Sequence, residues 1–118
     1  MRTLVLIVSL FIIAAACGPV QAHAFLDHAS PLVGSTVPNA PHEVTLSFTQ
    51  NLEPAFSTVE VTDANGARVD QGKATVSGST MRVGLKALPA GSYKVHWHAL
   101  SVDTHTTQGT FTFHVGGS

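Results

Sequence analysis

The chain has 118 residues, of which 44% are hydrophobic and 11% are charged, and its formal charge at pH 7 is −1. That length allows one domain, the apolar content is too high for a disordered tail, and the charge offers no basic surface for a nucleic acid. Seven histidines stand beside one tryptophan, one tyrosine and one cysteine, so histidine chemistry is the first place to look for a function.

The start of the chain has the pattern of an export signal. Arg2 supplies the positive charge, residues 4–16 form an apolar run broken only by one serine, and Val20–Gln21–Ala22 fits the small-x-small rule of signal peptidase. The run is shorter than the ~20 apolar residues that a membrane-spanning helix needs. The sequence therefore predicts a cleaved signal peptide over residues 1–22. It also predicts a periplasmic mature domain over residues 23–118 that does not span the membrane.

A second cleavage site remains an alternative. Ala14–Ala15–Ala16–Cys17 loosely resembles a lipoprotein site, and cleavage there would make Cys17 the lipid-bearing first residue of an anchored interaction module. The leucine usual three positions before that cysteine is missing. With cleavage after Ala22 the mature chain has no cysteine, so it can form neither a disulfide nor a thiolate metal site.

The mature region alternates apolar and polar residues with the period of two that is typical of half-buried strands. In chain order these segments are Val44–Thr49, Thr58–Thr62, Met81–Lys86, Tyr93–Ala99 and Phe111–Val115. Turn-forming sequences lie among them at Pro38–Pro41, Asn65–Gly66, Ser77–Ser79 and Pro89–Gly91. No segment has a sustained helical period. The pattern predicts an all-β protein, an antiparallel β-sandwich of about seven strands with immunoglobulin-like architecture and Trp97 facing inward.

His23 would be the first residue after cleavage. A free α-amino group and the Nδ1 atom of the same residue can close a six-membered chelate ring around one metal ion. Another imidazole and an oxygen would complete the tetragonal nitrogen and oxygen set that Cu(II) prefers. The candidates are Asp103 and His105, in a polar stretch over residues 101–108 that is predicted to be a loop. In an extended segment these two residues share one face, so both can meet one ion, or Asp103 can orient the imidazole from outside the coordination sphere. The spacing alone favours a structural turn with an exposed histidine.

A second histidine group is possible on the strands beside that loop. His96 and His98 share a face, and one hairpin register would place His114 next to His96. A solvated outer face explains the same residues, and His28 and His42 are assigned no function.

Several segments carry a resemblance to a known family, and they span nearly all of the mature region. They are His23–Leu26, Ser30–Pro31, Gly34, Val44–Thr49, Trp97 and the run Ser101-x-Asp103-Thr104-His105-x-x-x-Gly109-x-Phe111-x-Phe113. In their order and spacing they resemble the CopC family of periplasmic copper-resistance proteins.

The resemblance implies a β-sandwich of cupredoxin or immunoglobulin-like topology. It implies a Cu(II) site made by the N-terminal amine and imidazole, a second histidine and a carboxylate, which fall on His23, His105 and Asp103. It further implies a non-enzymatic role in copper sequestration, delivery or resistance, with an inner-membrane copper transporter as a partner.

Two departures narrow what the resemblance implies. Some family members hold Cu(I) in a methionine-rich loop, but residues 51–73 contain no methionine, so a Cu(I) site is not expected. Gln50 stands where some relatives have an acidic residue, which leaves Asp103 as the carboxylate.

One enzymatic alternative uses the same N-terminal chemistry. An N-terminal histidine brace also activates dioxygen in polysaccharide monooxygenases. The short mature domain leaves little chain for a substrate platform, and a carboxylate at Asp103 would crowd the axial position that dioxygen needs.

Overall fold

The computed structural model describes residues 25–116, which form two sheets of four strands packed face to face. The strands are β1 (Leu26–Ser30), β2 (Thr36–Val37), β3 (Glu43–Phe48), β4 (Thr58–Asp63), β5 (Asp70–Ser77), β6 (Thr80–Leu85), β7 (Gly91–Leu100) and β8 (Thr106–Val115). One sheet has the order β1-β3-β6-β5 and the other β2-β8-β7-β4. The predicted all-β sandwich is confirmed. A short 3-10 helix, Pro54–Phe56, precedes β4.

The predicted signal peptide, Cys17 and His23 lie outside the described residues. Over residues 25–116, no helix is long and apolar enough to cross a membrane.

The strand count and directions differ from the prediction in two respects. The described residues contain eight strands instead of about seven, and β2 pairs in parallel with β8, through Thr36 with His114 and Val37 with Val115. All other strand pairs are antiparallel. A strand of two residues is too short to show a period of two, so the sequence pattern could not reveal β2 or its direction.

The β7–β8 hairpin is longer than predicted. Its register runs from Gly91 opposite Val115 to Leu100 opposite Thr106, so the predicted loop over residues 101–108 shrinks to 101–105. The start of β8, residues 106–110, has no buried residue and no large apolar side chain. Without a buried face, the segment lacks the alternation that identifies a strand.

The core fills the space between the sheets. Its buried side chains include Val44, Leu46, Phe48, Val61, Met81, Val83, Val95, Trp97, Phe111 and Phe113. The rings of Phe48 and Trp97 meet edge to face across the two sheets, with centroids 5.1 Å apart, a favoured aromatic geometry. On the partner strand a Cβ added to Gly109 would lie 2.6 Å from Cζ2 of Trp97. Only glycine fits there, and the close packing fixes the hairpin beneath its loop.

A buried carboxylate ties the edges of the two sheets together. Asp70, with a side chain only 6% exposed, accepts two hydrogen bonds of 2.7 Å from Arg68 and one of 2.9 Å from the backbone N–H of Val61 in β4. The hydrogen bonds from Arg68 hold the pKa of Asp70 below its usual value, against the opposing effect of burial.

We expect Asp70→Asn to lower the free energy of unfolding at pH 7 by about 2 kcal/mol, the usual size for hydrogen bonds to a charged group. Because the folded-state pKa is depressed, the stabilisation is complete above the unfolded-state pKa of about 3.9 and is lost as the pH falls through the lower folded value. Urea unfolding of both proteins from pH 7 to pH 2 measures this difference. The difference in unfolding free energy between the wild type and Asp70→Asn should narrow below about pH 4. As a control, Asp27→Asn, at an exposed carboxylate, should change the unfolding free energy little at any pH. A difference of constant size across that range would show that the ionised carboxylate is not the cause.

Candidate metal centre

The loop that joins β7 and β8 is a tight turn over residues 101–105. The Ser101 N–H donates to the backbone oxygen of His105 at 2.9 Å, and the Thr104 N–H donates to that of Ser101 at 2.9 Å. Thr104 has a φ of +72°, the left-handed conformation that closes many three-residue hairpin loops and that usually requires glycine. A residue with a Cβ adopts it at a cost of about 1–2 kcal/mol, so the surrounding hydrogen bonds hold this loop in a strained shape.

The turn brings together two of the predicted ligands. Oδ1 of Asp103 lies 3.4 Å from Nδ1 of His105, and both side chains are partly exposed, at 36% and 48%. The two donors are therefore adjacent and open to an ion from solvent. The predicted reason for their proximity was wrong, because the left-handed residue between them makes a turn rather than an extended segment with a shared face.

The Ser101 side chain forms hydrogen bonds with both residues of this pair, a role that the sequence did not indicate. The residue is fully buried, its hydroxyl donates a hydrogen bond to Oδ1 of Asp103, and its oxygen also accepts the His105 N–H at 3.4 Å. The Ser101 hydrogen bond, with a smaller contribution from His105, holds the pKa of Asp103 below its usual range, although desolvation acts in the opposite direction. The carboxylate is therefore ionised at neutral pH and able to accept a cation.

The beginning of the described chain lies at the same end of the sandwich as this loop. The Phe25 N–H donates to Oγ1 of Thr49 at 2.9 Å, and the Thr49 N–H donates back to the Phe25 oxygen at 2.9 Å. Two residues farther along, the backbone oxygen of Asn51 accepts the Val102 N–H at 3.0 Å. The segment after β3 thus contacts both the N-terminal end of the described chain and the loop.

The third predicted ligand, His23, lies outside the described residues, so its part in a site stays a prediction. Over residues 25–116, no three His, Cys, Asp or Glu side chains are grouped so that they could hold a metal ion. Asp103 and His105 supply one oxygen and one nitrogen donor.

The alternative histidine group does not form. His96 lies opposite Thr110, and His114 lies four residues farther along β8, opposite Ser92. Each forms a hydrogen bond with its cross-strand neighbour, at 3.1 Å from Nδ1 to Oγ1 of Thr110 and 2.8 Å from Nδ1 to Oγ of Ser92. The register that would have placed His114 beside His96 is wrong, because the hairpin closes at the tight turn instead of in a longer loop.

Comparison with known proteins points to one family. The family model described as CopC domain matches residues 26–116, which is the whole sandwich from β1 to the end of β8. Copper resistance protein C of Escherichia coli is 33% identical over 120 residues, covering 83% of this chain and 90% of that protein.

A longer relative and a solved structure give the same result. Copper transport protein CutJ of Bacillus subtilis is 34% identical over 99 residues, which cover 80% of this chain but only 18% of that protein. The chain thus corresponds to about a fifth of CutJ. The crystal structure of CopC from Methylosinus trichosporium OB3b superposes with a TM-score of 0.74 at 32% identity, covering 79% of this chain and 93% of that one.

Proposed function

The chain belongs to the CopC family, and on that premise we propose that it is an exported protein that binds one Cu(II) ion through His23, Asp103 and His105. At the level of the family, it is a copper-binding protein of the copper-resistance type. The observation that carries the finer proposal is the pairing of a carboxylate with an imidazole 3.4 Å away in a fixed, solvent-facing turn.

Chain geometry supports the inclusion of His23. A residue two positions before Phe25 lies within about 7 Å of it in any conformation, because each residue spans at most ~3.3–3.6 Å. Phe25 is held by Thr49, next to the segment that contacts Val102 of the loop. The N-terminal amine and the imidazole of His23 would add two nitrogen donors to Asp103 and His105.

The donor types support Cu(II) as the bound state. Amine, imidazole and carboxylate groups make the tetragonal nitrogen and oxygen set that Cu(II) favours, whereas Cu(I) prefers thiolate and thioether ligands. Met81 is fully buried in the core, so its thioether is not open to an ion at the loop.

One of these relatives supports a role for the protein in copper handling. The region that resembles this chain makes up a fifth of a longer protein named for copper transport, which supports delivery of copper to a membrane transporter or acceptance of copper from one. We propose a carrier on a preformed sandwich, not an enzyme.

Titration of the mature protein with Cu(II), and with Cu(I) under reducing conditions, tests the proposal. We expect one tightly bound Cu(II) per chain, with a nitrogen-dominated tetragonal spectrum, and weak Cu(I) retention. Because an α-amino group with an ordinary pKa of about 7.7–8.0 must lose its proton, Cu(II) affinity should fall from pH 8 to pH 6. Equal retention of the two oxidation states would contradict the proposed donor set.

A further inference from the structure

The Ser101 hydroxyl is a buried polar group in direct contact with the Asp103 carboxylate and the His105 backbone. Its proton has two acceptors within reach, Oδ1 of Asp103 and the backbone oxygen of His105 at 3.2 Å. Oδ1 of Asp103 is also the atom that lies 3.4 Å from Nδ1 of His105. The Ser101 hydroxyl thus contacts the side chain of Asp103 and the backbone of His105.

The Asp103 side chain contacts two groups, the buried Ser101 hydroxyl and the partly exposed imidazole of His105. It is partly exposed at the tip of a turn, between the exposed residues Val102 and Thr104, where an aspartate rotates among staggered rotamers. A hydrogen bond from a buried, immobile donor selects one rotamer before any metal arrives. Selecting the rotamer in advance avoids an entropy loss on binding.

We infer that Ser101 is a positioning residue of the copper site, which fixes the Asp103 carboxylate in the orientation that the metal uses. The inference rests on the proposed function, since it assumes that Asp103 and His105 hold the ion. Groups that orient metal ligands from outside the coordination sphere typically account for about 10- to 100-fold of the metal affinity.

Ser101→Ala is a suitable variant because it removes only the hydroxyl. The backbone hydrogen bonds from Ser101 to His105 and from Thr104 to Ser101 remain, so the turn should keep its fold. Ser57 offers a matched control, since it is buried nearby at 5% exposure and its hydroxyl accepts the Leu100 N–H at 3.1 Å without a contact to Asp103.

The test combines copper affinity with an NMR readout on the metal-free protein. We expect Ser101→Ala to lower Cu(II) affinity about tenfold in the wild-type background and to have no effect in an Asp103→Ala background, because the hydroxyl acts through that carboxylate. In the metal-free protein the three-bond couplings between Hα and the two Hβ protons of Asp103 should change from single-rotamer to averaged values. Ser57→Ala should leave both the affinity and the couplings unchanged.

Three results would overturn the inference. Unchanged affinity and couplings in Ser101→Ala would mean that the hydroxyl does not orient the carboxylate. An equal loss of affinity with and without Asp103 would assign Ser101 to the general structure of the turn. If Asp103→Ala and His105→Ala both bind copper as the wild type does, the proposed function fails, and the role of Ser101 in a copper site fails with it. The Hα–Hβ couplings of Asp103 are measured without copper, so they report the Ser101 hydrogen bond even if the proposed function fails. They therefore distinguish a wrong metal site from an absent hydrogen bond.

Discussion

One extra residue in front of His23 is expected to weaken Cu(II) binding about a hundredfold or more. The added peptide bond converts the basic amine into an amide, whose nitrogen lone pair is delocalised into the carbonyl, and the chelate ring is lost. Four-ligand structural metal sites have binding free energies of about 10–16 kcal/mol, or about 3 kcal/mol per ligand. A loss of that size corresponds to about two orders of magnitude in affinity.

The experiment compares three forms of the protein by competition titration against a chelator of known Cu(II) affinity. One form begins at His23, one has an additional alanine before it, and one has the additional alanine after Ser118. Only the second form should bind weakly. Equal affinity in all three would place the copper site away from the N-terminus, and strong binding by a chain that still carries residues 1–22 would lead to the same conclusion.

His105→Ala is expected to cost a similar factor of about a hundred in Cu(II) affinity, because it removes an imidazole donor from the same site. Asp103→Ala should cost about 10- to 100-fold in Cu(II) affinity, because it removes a carboxylate that also orients the imidazole beside it. Both residues lie in an exposed turn, so thermal unfolding of the metal-free variants should stay close to that of the wild type.

The hairpin supplies its own control for this prediction. His96 lies on β7 of the same hairpin with its Nδ1 bound to Thr110, and His96→Ala should retain wild-type copper affinity. The reverse result, with copper binding lost in His96→Ala and kept in His105→Ala, would move the site to the outer face of the β7–β8 sheet and refute the assignment to the loop.

The sequence by itself determined the class of fold and the chemistry of the loop. Alternation over Val44–Thr49 and Tyr93–Ala99 predicted strands that the structure contains, because the period of two depends only on local backbone geometry. The donor types at Asp103 and His105 are likewise properties of individual residues, and their closeness follows from their separation by a single residue.

Only the tertiary structure determined the register of the β7–β8 hairpin and the contacts that hold Asp103 and His105 in place. Whether His114 meets His96 or Ser92 depends on where the hairpin turns, and the polar start of β8 gave no local signal for that position. The left-handed conformation of Thr104 belongs to a turn closed by hydrogen bonds between Ser101 and His105, and Ser101 is buried where it pairs with Leu52. The pairing with Leu52 joins residues far apart in the sequence, like that of Asn51 with Val102. Strand register and burial are set by which distant surfaces pack together, and local periodicity contains no information about that choice.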